Sequence, residues 1–296
     1  MESLIRVAVI GTGNIGTDLC ERILLHQDFE LVAFVGRRPN SPGLDKLRGR
    51  IRHTLSDGLD SLASIWAEID GLFDATSAAS HRLHWIEAQR AGKFVVDLTP
   101  SHLGRPIVPV LIGKTPRMDL EENFCANYSM VTCGGQSSAP LIYAMATHSD
   151  GIQEVEVSSS IASLSAGPAT RDNLDEYITA TENMARQITG CDATKSILVL
   201  NPAEPPVMMR TTVHLRVNQI DLAAVNQEIA SLFPRVSEYV PGYELVVEPH
   251  MLDPHVASAT VKVAGAGYYL PPYSGNLDII NAAAVETARL HFAQSH

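Results

Sequence analysis

Apolar and polar positions alternate with one rhythm in the first half of the chain and another in the second. Ile5-Arg6-Val7-Ala8-Val9-Ile10 is short and rich in branched residues, the mark of a buried strand. It runs into Gly11-Thr12-Gly13-Asn14-Ile15-Gly16 and then a helical pattern through Leu19, Ile23 and Leu24. Leu31-Val32-Ala33-Phe34-Val35 is a second strand, and Gly71-Leu72-Phe73-Asp74-Ala75-Thr76-Ser77 a third that ends in small polar residues. A helix pattern through Leu83, Ile86 and Ala88 leads to the strand Phe94-Val95-Val96-Asp97-Leu98, then Thr99-Pro100. Ile107-Val108-Pro109-Val110 continues the alternation as a further strand, and the strand reaching Cys133 closes this half. Strand and helix in strict turn predict an α/β, Rossmann-type, doubly wound parallel sheet.

From about Gly151 the period becomes two. Val155 to Ser163 alternates as a half-solvated antiparallel strand does, and Thr211-Thr212-Val213-His214-Leu215-Arg216, Tyr243 to Val247 and Ala259 to Val263 repeat the pattern. Ser165 to Arg171 is a breaker-rich loop before a helix expected from about Asn173 to Gln187. Ile197 to Leu200 is a strand, Asn201 to Pro206 a rigid connection, and two helices are expected between the later strands. The prediction is an α+β domain with a mostly antiparallel sheet that packs a face against a partner subunit. A final Ala-rich helix opens at Gly275-Asn276-Leu277-Asp278-Ile279 and is expected to return to the first domain. The expected boundaries are 1–132 for dinucleotide binding, with 276–296 returning to it, and 133–275 for catalysis and dimerisation.

Composition narrows the partners. The 296 residues are 45% hydrophobic and 19% charged, a globular balance. With 22 basic against 33 acidic residues and no long basic run, the positive footprint that nucleic acid requires is missing. No apolar run approaches the roughly 18 residues of a membrane span, and the N-terminus lacks a signal-peptide layout. The four cysteines have neither CxxC spacing nor disulfide density, so a cytoplasmic protein is expected. His81 and His84 share a helical face, but no cysteine or carboxylate adjacent in sequence completes a metal set. They are read as structural or surface residues, and no metal is expected.

Two stretches carry chemistry. In the first, Gly11 permits a tight turn, Gly13 lets backbone approach a pyrophosphate, and Gly16 lets helix and strand pack closely. After the second strand, where an NAD site normally has Asp or Glu, the chain has Gly36-Arg37-Arg38-Pro39. A guanidinium fork suits a 2′-phosphate, which favours NADP over NAD; a solvated basic loop is the plainer reading. In the second, Ser129-Met130-Val131-Thr132-Cys133-Gly134-Gly135-Gln136 places a thiol where a strand turns into a helix. Amide N–H groups and the positive helix end there favour a nucleophilic thiolate, and a buried structural cysteine is the competing reading.

Taken in order, GTGNIGTDL, FDATSA, VDLTP, MVTCGGQ, SAGPATR, NPAEPP, YVPGY and GAGYYLPPYSGNLDI resemble one family over essentially the whole chain. It is the family of CoA-acylating acetaldehyde dehydrogenases that work with a hydroxy-oxo-acid aldolase in aromatic-compound catabolism. The resemblance implies that Cys133 attacks an aldehyde, that hydride leaves to nicotinamide, and that the thioester passes to CoA as cosubstrate. Cofactor contacts would then fall on Thr12, Gly13, Asn14 and Ile15. They would continue on the loop Ser165, Ala166, Gly167, Pro168, Ala169, Thr170, Arg171, Asp172 and Asn173, and on Asn276. Backbone amides near Cys133, or the Asn276 amide, would serve the oxyanion. A homodimer and an aldolase partner are also implied.

Two departures stand out. The family usually reads MRDTV after NPAEPP, whereas this chain has Met209-Arg210-Thr211-Thr212-Val213, so Thr211 replaces the aspartate thought to act as base. A threonine hydroxyl holds its proton too tightly for that role at neutral pH. The second departure is Arg37-Arg38, where the family tends to carry an acidic residue suited to NAD. The altered site leaves room for a larger or charged semialdehyde, another acyl acceptor such as water, the reverse reduction of an acyl thioester, or a nucleotide-binding scaffold that partners an aldolase without turnover.

Overall fold

A computed structural model describes residues 4–295; residues 1–3 and His296 lie outside the described residues. The first half runs β1 (Ile5–Ile10), α1 (Asn14–Leu24), β2 (Phe29–Val35), α2 (Pro42–Leu47), β3 (His53–Leu55) and α3 (Leu59–Leu62). It continues with β4 (Gly71–Asp74), α4 (Ala78–Arg90), β5 (Phe94–Asp97), β6 (Arg105–Pro106) and β7 (Asn127–Ser129). These strands form one parallel sheet in the order β3-β2-β1-β4-β5-β7-β6. β1, β4 and β5 are almost wholly buried, which is why they read as continuous apolar runs rather than alternating ones.

The second half opens with α5 (Cys133–Thr147), β8 (Ser149–Asp150), β9 (Glu154–Ala162), α6 (Pro168–Asp172) and α7 (Leu174–Thr189). It proceeds through β10 (Thr194–Asn201), β11 (Met209–Arg216), β12 (Gln219–Ile220), α8 (Leu222–Tyr239), β13 (Tyr243–Asp253) and β14 (Val256–Val263) to α9 (Gly275–Ser295). The main sheet here has the order β10-β9-β11-β14-β13. Three of its pairings are antiparallel; β9 and β10 are parallel. Period-two alternation reports burial on one face and says nothing of direction. The long crossover through α7 is what a parallel pair needs.

The inner face of this sheet, with Val157, Ile161, Val213, Ala259 and Val261 fully buried or nearly so, packs under α5, α7 and α8. The outer face leaves Val199 and Val247 exposed. α9 leaves this half and runs beside α1 and α5. Buried Arg22 donates to Asp278 at 2.6 Å, and Asn281 donates to Asp18 at 2.9 Å, so polar pairs fix its register against α1.

Two expectations are corrected. Ile107–Val110 is not a strand: the edge strand is Arg105–Pro106, and Pro109–Leu111 is a 3₁₀ turn, because Pro109 has no N–H to give a ladder. Between β11 and β13 there is one long helix, α8, which continues through Pro234, and β13 and β14 form a hairpin. Among the described residues no helix is long and apolar enough to cross a membrane.

Candidate active site

The thiol turn is assembled by three polar side chains and two glycines. β7 ends at Ser129, and Cys133 is the first residue of α5. Between them Val131 has φ 56°, a left-handed conformation that a β-branched residue rarely adopts. Such strain costs on the order of 1–3 kcal/mol and persists only where surroundings enforce it. Gln136 enforces it from the first turn of α5, donating to the carbonyls of Ile107 at 2.7 Å and Met130 at 3.0 Å. Thr132 caps α5 by accepting from the Gly135 amide at 2.8 Å, a contribution of about 1 kcal/mol. Its hydroxyl is also 2.7 Å from that of Thr181 on α7.

The glycines are required by space. A Cβ at Gly135 would stand 2.7 Å from Val131 Cγ1, and one at Gly134 would stand 2.0 Å from the Tyr177 hydroxyl. The Cys133 side chain opens into a cleft of about 130 Å³ lined also by Ile15, His102, Thr170, Asn173, Tyr177 and Asn276. Burial pushes the thiol up to about 11, against a hydrogen bond to Tyr177 and the amides of Gly134 and Cys133. The amides expected at the helix start are therefore there, but desolvation outweighs them and the resting group is a thiol. Its sulfur lies 4.0 Å from the Tyr177 hydroxyl oxygen.

Thr211 lies outside the cleft. It is wholly buried on the inner face of β11, opposite Ser159 of β9 in register. Its hydroxyl bonds Ser137 at 2.8 Å and Ser159 at 3.0 Å.

On the nucleotide side, Gly11 has φ 113°, and a Cβ there would meet the Ala75 carbonyl oxygen at 2.3 Å. A Cβ on Gly16 would meet Gly11 oxygen at 1.8 Å, so α1 and the turn touch backbone to backbone. Around Gly13 nothing lies within 4 Å, which leaves its approach open. Thr12 is fixed by Ser41, 2.7 Å away. Asn14 and Ile15 begin α1, with unpaired amides of its first turn beside them. A cavity of about 750 Å³ spreads from this turn over Thr76 and Ser77 to Arg37, Arg38, Asn40 and Ser41, with Asp57 on its rim. Both arginines are exposed, and neither forms an ion pair among the described residues.

The loop from Ser165 to Asn173 divides. Thr170 and Asn173 reach the thiol cleft. Ser165 is buried and bonded to the Ala162 carbonyl, and Ala166 is buried with it. Gly167 caps α6, which Pro168 and Ala169 open. Arg171 turns back to donate to Ala166 and Ser163, and Asp172 is exposed. Asn276, 2% exposed at the start of α9, lines the cleft, and its Oδ1 has no hydrogen-bond partner among the described residues.

Sequence reasoning passed over several residues. His81 and His84 are buried, and both hold Asp74 Oδ2, at 2.9 Å and 2.7 Å. His81 Nε2 is 3.4 Å from Asp97. Burial pushes Asp74 up, but the two histidine hydrogen bonds outweigh it and hold the carboxyl at about 2. Burial dominates at Asp97 and pushes it up to about 6 against the charge of His81 and hydrogen bonds from Ser101 and Thr99. The signal was an Asp closing each of two buried strands, in FDATSA and VDLTP. Among the described residues no group of His, Cys, Asp and Glu could hold a metal ion. Tyr177 and Glu176 had only a place in an expected helix to recommend them, and His102, which also lines the cleft, had no signal.

This geometry joins a glycine turn to a thiol, and two family models match the chain. Residues 6–122 match the semialdehyde dehydrogenase NAD-binding domain, and residues 133–271 match the prokaryotic acetaldehyde dehydrogenase dimerisation domain. An acetaldehyde dehydrogenase of Burkholderia thailandensis is 46% identical over 96% of this chain and 93% of that protein. The chain belongs to the acetaldehyde dehydrogenase family. Another member, from Pectobacterium atrosepticum, is 42% identical over 97% of this chain and 95% of that protein, and one from Spirochaeta aurantia 43% over 99% and 96%. The crystal structure of aspartate semialdehyde dehydrogenase II from Vibrio cholerae shares the fold, with a TM-score of 0.65 at 14% identity over 98% of this chain and 99% of that one. The protein is thus an oxidoreductase, an aldehyde dehydrogenase with a nicotinamide-binding domain.

Proposed function

We propose that the protein oxidises a small aldehyde through a thioester on Cys133 and passes the acyl group to CoA, or runs the same steps in reverse. One observation carries this reading: the Cys133 sulfur opens into a cleft whose walls include Ile15, within the glycine turn, and Asn276, whose buried Oδ1 has no partner among the described residues. The residues fit a dinucleotide. Gly13 offers open backbone, the α1 amides would hold a pyrophosphate, and Asn276 Oδ1 would supply an acceptor for a carboxamide N–H. Bound nicotinamide supplies a hydride acceptor.

The chain's own part follows. Cys133 sulfur bonds the aldehyde carbon, and the carbonyl oxygen becomes a hydroxyl. When hydride leaves that carbon the hydroxyl proton is lost and a thioester remains. The CoA thiol then takes the acyl group and restores the Cys133 thiol. Amides of Cys133 and Gly134 at the helix start favour the developing oxyanion. Arg37 and Arg38, without an ion pair among the described residues, line the larger cavity and favour NADP through its 2′-phosphate. In this reading residues 1–132 with the returning helix bind the dinucleotide, and 133–275 carry the thiol and pair two copies. A hydroxy-oxo-acid aldolase as partner follows from the resemblance alone.

The test is NAD(P)H formation with a panel of aldehydes, with and without CoA. Wild type should turn over and Cys133→Ala should not; full activity in the variant overturns the reading, and an inert wild type favours a nucleotide-binding scaffold. NADP and NAD affinities before and after Arg38→Asp decide the cofactor: an unchanged preference removes the arginine argument.

A further inference from the structure

Where a charged base is missing, the structure has a run of neutral hydroxyls that ends at the sulfur. Thr211 on β11 bonds Ser159 across the sheet and Ser137 in the second turn of α5. Ser137 is tied in turn to the Gly134 carbonyl at 3.1 Å. A Cβ on Gly134 would stand 2.0 Å from the Tyr177 hydroxyl and 3.0 Å from that of Ser159, so the two hydroxyls meet against the same glycine. Tyr177 lines the cleft and its oxygen lies 4.0 Å from Cys133 Sγ. Four elements, α5, α7, β9 and β11, thus converge around one phenol that lines the cleft beside the thiol. No member of this run is charged, and none is a strong enough base to keep a proton.

We infer that Tyr177 carries the proton between the Cys133 thiol and the substrate oxygen, and that Ser159, Thr211 and Ser137 hold its hydroxyl in place for that transfer. The inference rests on Cys133 being the nucleophile. As the S–C bond forms, the thiol proton passes to Tyr177 Oη and the phenol's own proton passes to the carbonyl oxygen, which becomes the hydroxyl of the thiohemiacetal. The C=O π pair takes up that proton, so nothing is gained or lost overall and no external base is required. The same exchange serves deacylation: the proton of the incoming CoA thiol passes through Tyr177 to the departing Cys133 sulfur. The proton released at hydride transfer leaves through the open cleft to water.

A shuttle of this kind suits a resting thiol. Burial keeps both the Cys133 thiol and the Tyr177 phenol protonated near neutrality. An enzyme that waited for thiolate would use a small fraction of its molecules, whereas a neutral exchange uses all of them. Thr211 then positions rather than abstracts, and a hydroxyl is the right group for it.

The experiment compares kcat/KM for the aldehyde across pH 6–9 in wild type, Tyr177→Phe and Ser159→Ala. The titratable groups facing the cleft are Cys133, Tyr177, His102 and Glu176; the last two are common to all three proteins and cancel. Tyr177→Phe should lose about 100-fold at pH 7, the usual range for one acid–base group. Its remaining rate should climb about tenfold per pH unit as thiolate accumulates, while wild type stays nearly flat. Ser159→Ala, which leaves α7 intact, should lose about tenfold with the same tilt, on the scale of one hydrogen bond. NADP affinity should be unchanged in both. A Tyr177→Phe enzyme with a wild-type rate and a flat profile overturns the inference while Cys133→Ala, still inert, upholds the nucleophile. Failure of wild type to turn over, or activity in Cys133→Ala, overturns both.

Discussion

The protein buries two polar clusters, and they solve opposite problems. One, at the C-terminal ends of β4 and β5, is ionic: Asp74, His81, His84 and Asp97 share charge with almost no solvent. The other, between α5, α7 and the mixed sheet, is neutral: Tyr177, Ser159, Thr211 and Ser137, with Thr132 and Thr181 adjoining. A buried charge must be paired or it is expelled, so the first cluster is rigid and its members depend on one another. A buried hydroxyl needs only a neighbour, so the second tolerates proton exchange without any group becoming charged. The nucleotide half is therefore the pH-sensitive part of the fold, and the thiol half is built to be indifferent to pH.

Removing one partner of the ionic cluster should have the largest effect on stability. His81→Ala leaves Asp74 and Asp97 with a missing counter-ion between them. The expected loss is about 3–5 kcal/mol in urea unfolding, the range for breaking a buried pair. A loss below about 1 kcal/mol would show that water enters the site and that the cluster is not the rigid charge pair described.

The next effect is in the pH dependence. Asp97, raised to about 6 from 3.8, contributes stability that is fully present below pH 3.8 and is lost as pH rises to about 6. His81 is raised as well, so its share is present below 6.5 and lost at higher pH. Asp74 is lowered to about 2, and its contribution is present above 3.8 and lost as pH falls through 2. Unfolding free energy should therefore peak near pH 4 and decline toward 7 by on the order of 2–3 kcal/mol. Asp97→Asn should flatten the stretch between 4 and 6. A wild-type midpoint that rises through that window would contradict the account.

Gly134→Ala sharpens the contrast from the neutral side. Its Cβ would overlap the Tyr177 oxygen, so α7 or α5 must shift at about 1–3 kcal/mol. Aldehyde turnover should fall as it does in Tyr177→Phe, with the same rise toward high pH. Normal turnover would mean that the phenol is not needed beside the sulfur.

The legible parts of this molecule were those written as local runs. Buried parallel strands, the glycine turn and the strand-to-helix entry of Cys133 each occupy consecutive residues whose spacing reports burial directly. Both polar clusters are assembled from residues far apart in sequence. Thr211 was visible as a departure, but its partners Ser159 and Ser137 come from a strand and a helix whose register no single segment encodes. Tyr177 was one position within an expected helix, because its meaning lies in what α5 brings against it. Likewise His81 looked structural or superficial until Asp74 and Asp97 were brought to it by the sheet order. Pro109 ends what reads as a continued apolar alternation, whereas Pro234 lies inside α8 without ending it.

Thr211→Val is the smallest change and the one that bears most on the comparison. Valine keeps the volume and the β-branched shape, so the sheet should not repack. What disappears is one hydroxyl between Ser159 and Ser137, of which Ser137 keeps its bond to the Gly134 carbonyl. The expected cost in stability is about 1 kcal/mol, far below that of His81→Ala, because no charge is stranded. Activity should fall more than stability does, with the pH profile tilting as in Ser159→Ala, since the phenol loses the support that fixes its hydroxyl. If Thr211→Val instead loses stability on the scale of His81→Ala, the hydroxyl run is a structural brace of the same kind as the ionic cluster. The two regions would then differ in charge alone and not in purpose.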